Sequence, residues 1–170
     1  RSKRDSMHFA TYDGREVKSI EELRIANFLI LNGVQFEYEK PYVYNTATAA
    51  YRQYQPDFYY PEADLYHEHF ALNENGEIPS HFNASYLKGI SWKRRLHDMH
   101  NTALIETYSY NFNRGDIFET LKKKLREAGV TFKPLAKREV DEIIKRTYDS
   151  TRFRVVHLLY PAPKIEPFNG

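Results

Sequence analysis

The 170-residue sequence contains no cysteine, which excludes thiol nucleophiles, Cys-ligated zinc and disulfides. No apolar run approaches the ~20 residues that cross a bilayer, and the basic opening (Arg1, Lys3, Arg4) leads into no signal-peptide core. A soluble, cytoplasmic protein with no membrane partner is the expectation. No GxxxxGK[ST] phosphate loop occurs, so these residues carry no ATP-driven motor of that type. Charge of one sign is missing too. With 25 Lys+Arg against 23 Asp+Glu the formal charge is +2, too small for a global field that would gather a polyanion. Any nucleic-acid contact must therefore be local, and the runs Lys93-Arg94-Arg95 and Lys122-Lys123-Lys124 are candidates, a solvated helix face being the commoner role of such runs. The chain opens on Arg1 rather than Met, as expected of a piece excised from a longer protein.

What is abundant is aromatic: 14 Tyr and 11 Phe, residues that suit both a core and a nucleic-acid groove. The length fits one domain. Residues 1–14 read as a polar lead-in, 15–148 as the domain, and 149–170 as a C-terminal tail whose apolar segment Val155 to Tyr160 is left unassigned. Ser19 followed by Glu22 is a capping-box pattern ahead of Leu23, Ile25, Ala26, Leu29 and Ile30, predicting a helix to about Asn32 with Gly33 as its stop. Alternation predicts strands over Val34 to Pro41, Tyr54 to Tyr60 and Leu65 to Leu72, the last two joined by a short turn. A helix is expected from Asn83 to about His100, a fourth strand over Leu104 to Tyr108, and helices at Ile117 to Ala128 and Lys137 to Tyr148. The order is α-β-β-β-α-β, an α/β mixed sheet flanked by helices, with extra C-terminal helices.

The turn between the second and third strands would bring Asp57 beside Glu68. Two carboxylates held so close repel unless a cation sits between them, and Mg²⁺ and Mn²⁺ favour such oxygen ligands. Helical spacing places Glu22 with Ile25 and Leu29, whereas Glu21 points with Arg24 and Phe28 to another face, so Glu22 is the better third acid; it is equally a capping partner of Ser19.

A Glu on a first helix, then Pro56-Asp57, then an acid about ten residues on resembles the PD-(D/E)XK, or restriction-endonuclease-like, nuclease superfamily. A longer likeness runs through Ile25-Ala26-Asn27-Phe28-Leu29, Phe36-Glu37-Tyr38-Glu39-Lys40-Pro41-Tyr42, Tyr54-Gln55-Pro56-Asp57-Phe58-Tyr59, Glu68-His69-Phe70, Trp92-Lys93-Arg94 and Leu104-Ile105-Glu106-Thr107-Tyr108-Ser109-Tyr110. It is similar to the nuclease-like domain of UvrD-like, helicase IV-like superfamily I DNA helicases, over roughly residues 15 to 145. The resemblance implies a restriction-endonuclease-like core, Glu22, Asp57 and Glu68 as catalytic and metal-binding acids, DNA as substrate in a repair setting, and helicase motor domains in the same full-length chain. It departs at one place: the superfamily's lysine, two residues after the third-strand acid, is Phe70 here. Tyr86, Ile90, Lys93 and His97 share one stripe of the next helix, beside the apolar stripe Trp92, Leu96 and Met99. Lys93 could thus reach the acids from another element, or instead join Arg94 and Arg95 in contacting DNA phosphates.

The histidines allow a zinc reading that strand alternation disfavours, since His67 and His69 face away from Glu68 and His97-His100 is not HExxH spacing. His69 is expected as a hydrogen-bonding neighbour of the site. His97 is a candidate at the site's margin, Glu106 is either an outer acid ordering Lys93 or a ligand or a strand residue paired across the sheet, and Trp92 is expected in the core. Divalent-metal-dependent DNA hydrolysis and a non-cleaving DNA-binding module of the same fold are the two functional expectations.

Overall fold

The computed structural model describes residues 7–149; residues 1–6 and 150–170, including the segment Val155 to Tyr160, lie outside the described part. Among the described residues no helix is long and apolar enough to cross a membrane.

A small hairpin precedes the first helix, with β1 (Phe9–Ala10) antiparallel to β2 (Glu16–Val17). Its first strand falls within the expected polar lead-in, a difference from the sequence reading. Phe9 and Val17 are buried in the main core, and the Tyr12 N–H donates to Asn27 Oδ1 at 2.8 Å, so two apolar residues and one bond fasten a segment whose composition is mostly polar. Helix α1 (Ile20–Leu31) starts where Ser19, in extended geometry, accepts the Glu22 N–H at 3.1 Å, an N-cap worth about 1 kcal/mol. It stops at Asn32 and Gly33, whose φ is +63°. A Cβ on Gly33 would lie 2.2 Å from the Lys133 carbonyl oxygen, so both the left-handed turn and the close approach of a later loop require glycine.

The main sheet has the order β3 (Glu37–Tyr38), β4 (Phe58–Tyr60), β5 (Leu65–Phe70), β6 (Ala103–Tyr108). The first two pairings are antiparallel, and β5 runs parallel to β6. A parallel partner needs a crossover, supplied by α2 (Ser85–His100). The expected order α-β-β-β-α-β is therefore present in a four-stranded mixed sheet flanked by helices. The strands are shorter than alternation predicts. Val34 and Phe36 turn into the core instead of extending the ladder, Glu39 takes a positive φ of 52°, and Pro56 has no N–H to donate, so β4 begins only after Asp57.

Alternation along the strands separates two packed faces. Phe58, Tyr60 and Leu65 pack with Leu23, Ile25 and Leu29 of α1 and with Ile117, Leu121 and Leu125 of α4 (Ile117–Glu127), whose short predecessor is α3 (Ser109–Arg114). Tyr66, Tyr42 and Tyr54 pack with Leu96 of α2. Met99, expected on that apolar stripe, is 69% exposed. Helix α5 (Lys137–Asp149) buries Ile143. The sequence reading left α3 unassigned: its aromatic, Asn-rich residues have no helical stripe, and it is set by the Asn111 side chain accepting the Tyr108 N–H at 2.9 Å and by Gly115 at φ +79°.

Candidate active site

The pairing of Phe58 with His67 continues one step to set Asp57 opposite Glu68. The charge of Glu68 bears directly on the Asp57 carboxyl. Glu68 is 1% exposed; its Oε1 accepts the Tyr54 hydroxyl at 2.8 Å and its Oε2 accepts Lys93 Nζ at 3.1 Å. Asp57 Oδ2 accepts the backbone N–H of His69 at 2.7 Å. Enclosure and then the charge of Glu68 push the Asp57 carboxyl well above the usual carboxylate range, outweighing Lys93 and the His69 N–H, which act the other way. Two acids crowded so closely call for a positive charge or a proton between them.

Lys93 supplies part of that charge from the predicted stripe of α2. Burial works against its ammonium, but Glu68 and Asp57 overcome it and raise its affinity for the proton. The cation also lies 5.6 Å from the Phe70 ring centroid. Phe70, 1% exposed, stands two residues after Glu68 on β5, and the ammonium arrives from α2.

Glu22 faces the same cavity. Burial and then Asp57 raise its carboxyl, against the hydrogen bonds of Ser19 and Tyr38, and its Oε1 accepts the Tyr38 hydroxyl at 3.0 Å. The sequence reading passed over Glu21, which also lines the cavity. Its Oε1 accepts Ser109 Oγ at 2.5 Å and its Oε2 meets His69 Nε2 at 3.3 Å. Burial works to raise Glu21, but these two bonds outweigh it and hold the carboxyl below the usual range. Helical spacing could not find it, because the partners come from β5 and α3.

Two directed hydrogen-bond chains end on these acids. The buried Tyr60 hydroxyl lies 2.8 Å from His67 Nδ1, His67 Nε2 is 2.8 Å from Thr107 Oγ1, and that oxygen is 2.8 Å from His69 Nδ1. A hydroxyl has one proton and a carboxylate none, so the run that satisfies every group is Tyr60 to His67 to Thr107 to His69 to Glu21. Similarly, Tyr54 gives its proton to Glu68, so the His97 Nε2–H, 3.1 Å away, donates to Tyr54, and Thr102 donates to His97 Nδ1 at 2.7 Å. Burial lowers His97 to about 4 and His67 well below the usual imidazole range, keeping both rings neutral near pH 7. Among the described residues no buried side-chain polar atom lacks a partner.

Other expected residues fall elsewhere. Glu106 does not meet Lys93; Arg94 grips it, with Nη2 2.6 Å and Nε 2.9 Å from Oε1. Lys93, Arg94 and Arg95 therefore do not form one basic patch: the first serves Glu68, the second Glu106, and Arg95 is exposed. Trp92 is half-buried and stacks on Tyr51, so it is not a core residue throughout. His100 stacks on Tyr44, away from a ligand role with His97. Among the described residues no three His, Asp or Glu side chains form a ready-made cation cage, since Glu22 is turned to Tyr38 and Glu21 to Ser109 and His69.

The acids and Lys93 open into a cavity of about 540 Å³, bounded also by Lys18, Phe82 and Tyr86. No family model, no curated protein and no solved structure matches this chain.

Proposed function

We propose that residues 15–148 are a restriction-endonuclease-like, PD-(D/E)XK-type domain that hydrolyses DNA phosphodiesters with Mg²⁺ or Mn²⁺, attached in the full-length protein to superfamily I helicase motor domains and serving DNA repair. The observation that carries this reading is the setting of Asp57 opposite Glu68 by the strand register, with Lys93 on Glu68 and an open cavity lined by both acids in front. A divalent cation suits this donor set on charge: ionised Asp57 and Glu68 carry two negative charges, Lys93 returns one, and Glu22 adds another acid to the same cavity. All the side-chain donors are carboxylate oxygens, the ligands hard cations prefer.

When bound, such an ion supplies Lewis acidity and a more acidic water. The chain's own residues supply the rest. Asp57 and Glu68 would hold the ion, Asp57 oriented by the His69 N–H and Glu68 by Tyr54. Lys93 keeps its proton, so its ammonium offsets charge gathering on phosphate oxygens and positions water. Glu22 is placed to take a water proton, since its raised carboxyl is closer to neutrality than an ordinary one.

The second reading, a catalytically inactive DNA-binding module, is favoured by one observation: Tyr54 and Lys93 already bond both oxygens of Glu68. Incubating the protein with single- and double-stranded DNA and Mn²⁺, beside Asp57→Ala, separates the two. Cleavage lost in the variant supports hydrolysis, whereas no cleavage, or equal cleavage by both proteins, refutes it.

A further inference from the structure

We propose that the outer face of α2 is a landing surface for single-stranded nucleic acid, on which an unpaired base stacks against Tyr51 while phosphates run along Lys88 and Arg95. Lys88, Trp92, Arg95 and Met99 recur at helical spacing on one stripe of α2. Tyr51 lies flat on Trp92, with ring centroids 4.7 Å apart and planes at 7°, yet remains 47% exposed, so its outer ring face is open. One turn to either side of Trp92 stand Lys88 and Arg95, and Arg52 follows Tyr51. All three cations are exposed, and none forms an ion pair among the described residues. A cavity of about 590 Å³ lies against Trp92, Arg95 and Met99, with Asp98 its one acidic lining residue.

Stacked rings beside unpaired cations suit a strand whose bases are splayed out, and a paired duplex offers no such ring face. The surface is linked to the acids through the packed interior. Trp92 meets Tyr54 edge-on at 5.7 Å, and the Tyr54 hydroxyl is bonded to Glu68. Three side chains, Tyr51, Trp92 and Tyr54, thus link a base seated there to Glu68. The choice of nucleic acid rests on the hydrolytic reading of that cavity, but binding can be measured without cleavage.

The test is fluorescence anisotropy of a labelled oligothymidylate and of a duplex of equal length, in EDTA. The single strand is expected to bind more tightly. Tyr51→Ala should weaken it roughly tenfold and Tyr51→Phe hardly at all, as loss of one stacked base implies; Arg95→Ala should weaken it and flatten its salt dependence. The emission of Trp92, the chain's single tryptophan, should change on adding the strand. Equal duplex binding, indifference to Tyr51→Ala, or self-association through this face in place of strand binding overturns the proposal. Strand binding without Mn²⁺-dependent cleavage removes the hydrolytic reading alone, and cleavage without single-strand preference removes this one alone.

Discussion

Replacing Lys93 by methionine tests the charge arrangement most directly. Glu68 would keep the Tyr54 hydroxyl on Oε1 and lose the ammonium 3.1 Å from Oε2, leaving an almost fully buried carboxylate beside Asp57. Breaking a buried ion pair from one side costs about 3–5 kcal/mol. The Lys93 side chain is 28% exposed, and the cavity admits water, so a figure below that range, about 2–3 kcal/mol, applies after allowance for screening. Methionine keeps most of the stem's volume, which limits the packing loss. Urea unfolding at neutral pH in EDTA should report this loss, and Lys93→Met/Glu68→Gln should recover most of it, because the acid–acid repulsion is then removed and Asp57 is the one acid of the pair left. Mn²⁺ should also restore stability to the single variant, by about 1.4 kcal/mol at ten times its Kd, and not to the double. A loss below about 0.5 kcal/mol, within the range of ordinary surface substitutions, or no recovery in the double variant, would refute the reasoning.

Three further outcomes follow from the same geometry. The folded-state carboxyl of Asp57 is raised, so near and below that raised value the folded chain binds more protons than the unfolded one. Stability should therefore rise as pH falls from neutral toward the unfolded carboxylate value of about 4, and this component should vanish in Asp57→Asn and shrink with Mn²⁺ when followed by urea midpoints. Gly33→Ala should cost more than 1 kcal/mol in thermal melts, because the added Cβ meets the Lys133 carbonyl and the left-handed turn itself disfavours alanine; an unchanged midpoint would contradict the packing. Thr107→Val interrupts the chain between His67 and His69 and should destabilise by about 1–3 kcal/mol, with two-dimensional NMR expected to show altered imidazole proton resonances for both rings.

The sequence made the acidic pair legible because a hairpin of fixed register needs only a short turn to juxtapose Asp57 and Glu68, and Lys93 was reachable because helical periodicity placed it on the stripe of α2 beside the apolar one. Element order was readable for the same local reasons. Glu21 was not. Helix spacing says which side chains share a face, but not that Ser109 and His69 will be waiting on a neighbouring one. The pairing of Arg94 with Glu106, rather than Lys93 with Glu106, likewise depends on how α2 lies across the sheet, a tertiary quantity. The early hairpin escaped notice because two residues in each strand are too few to establish a period, and Trp92, expected in the core, packs against it only in part because its stacking partner comes from a loop with no repeating pattern.

The bond between Ser109 and Glu21 spans 88 positions of chain, whereas Lys93 reaches Glu68 across 25. Closing a longer loop carries a larger entropic cost, so the cavity's walls are not equally easy to assemble. The hairpin can bring its two carboxylates together before either the ammonium from α2 or the clamp from α3 is in place. Assembly of this domain is then expected to pass through a stage of unrelieved acid–acid repulsion, and refolding should quicken when protons or divalent ions are supplied from the start. Stopped-flow refolding with Mn²⁺ added before or after the folding phase would resolve that order of events; equal rates in both orders would contradict it.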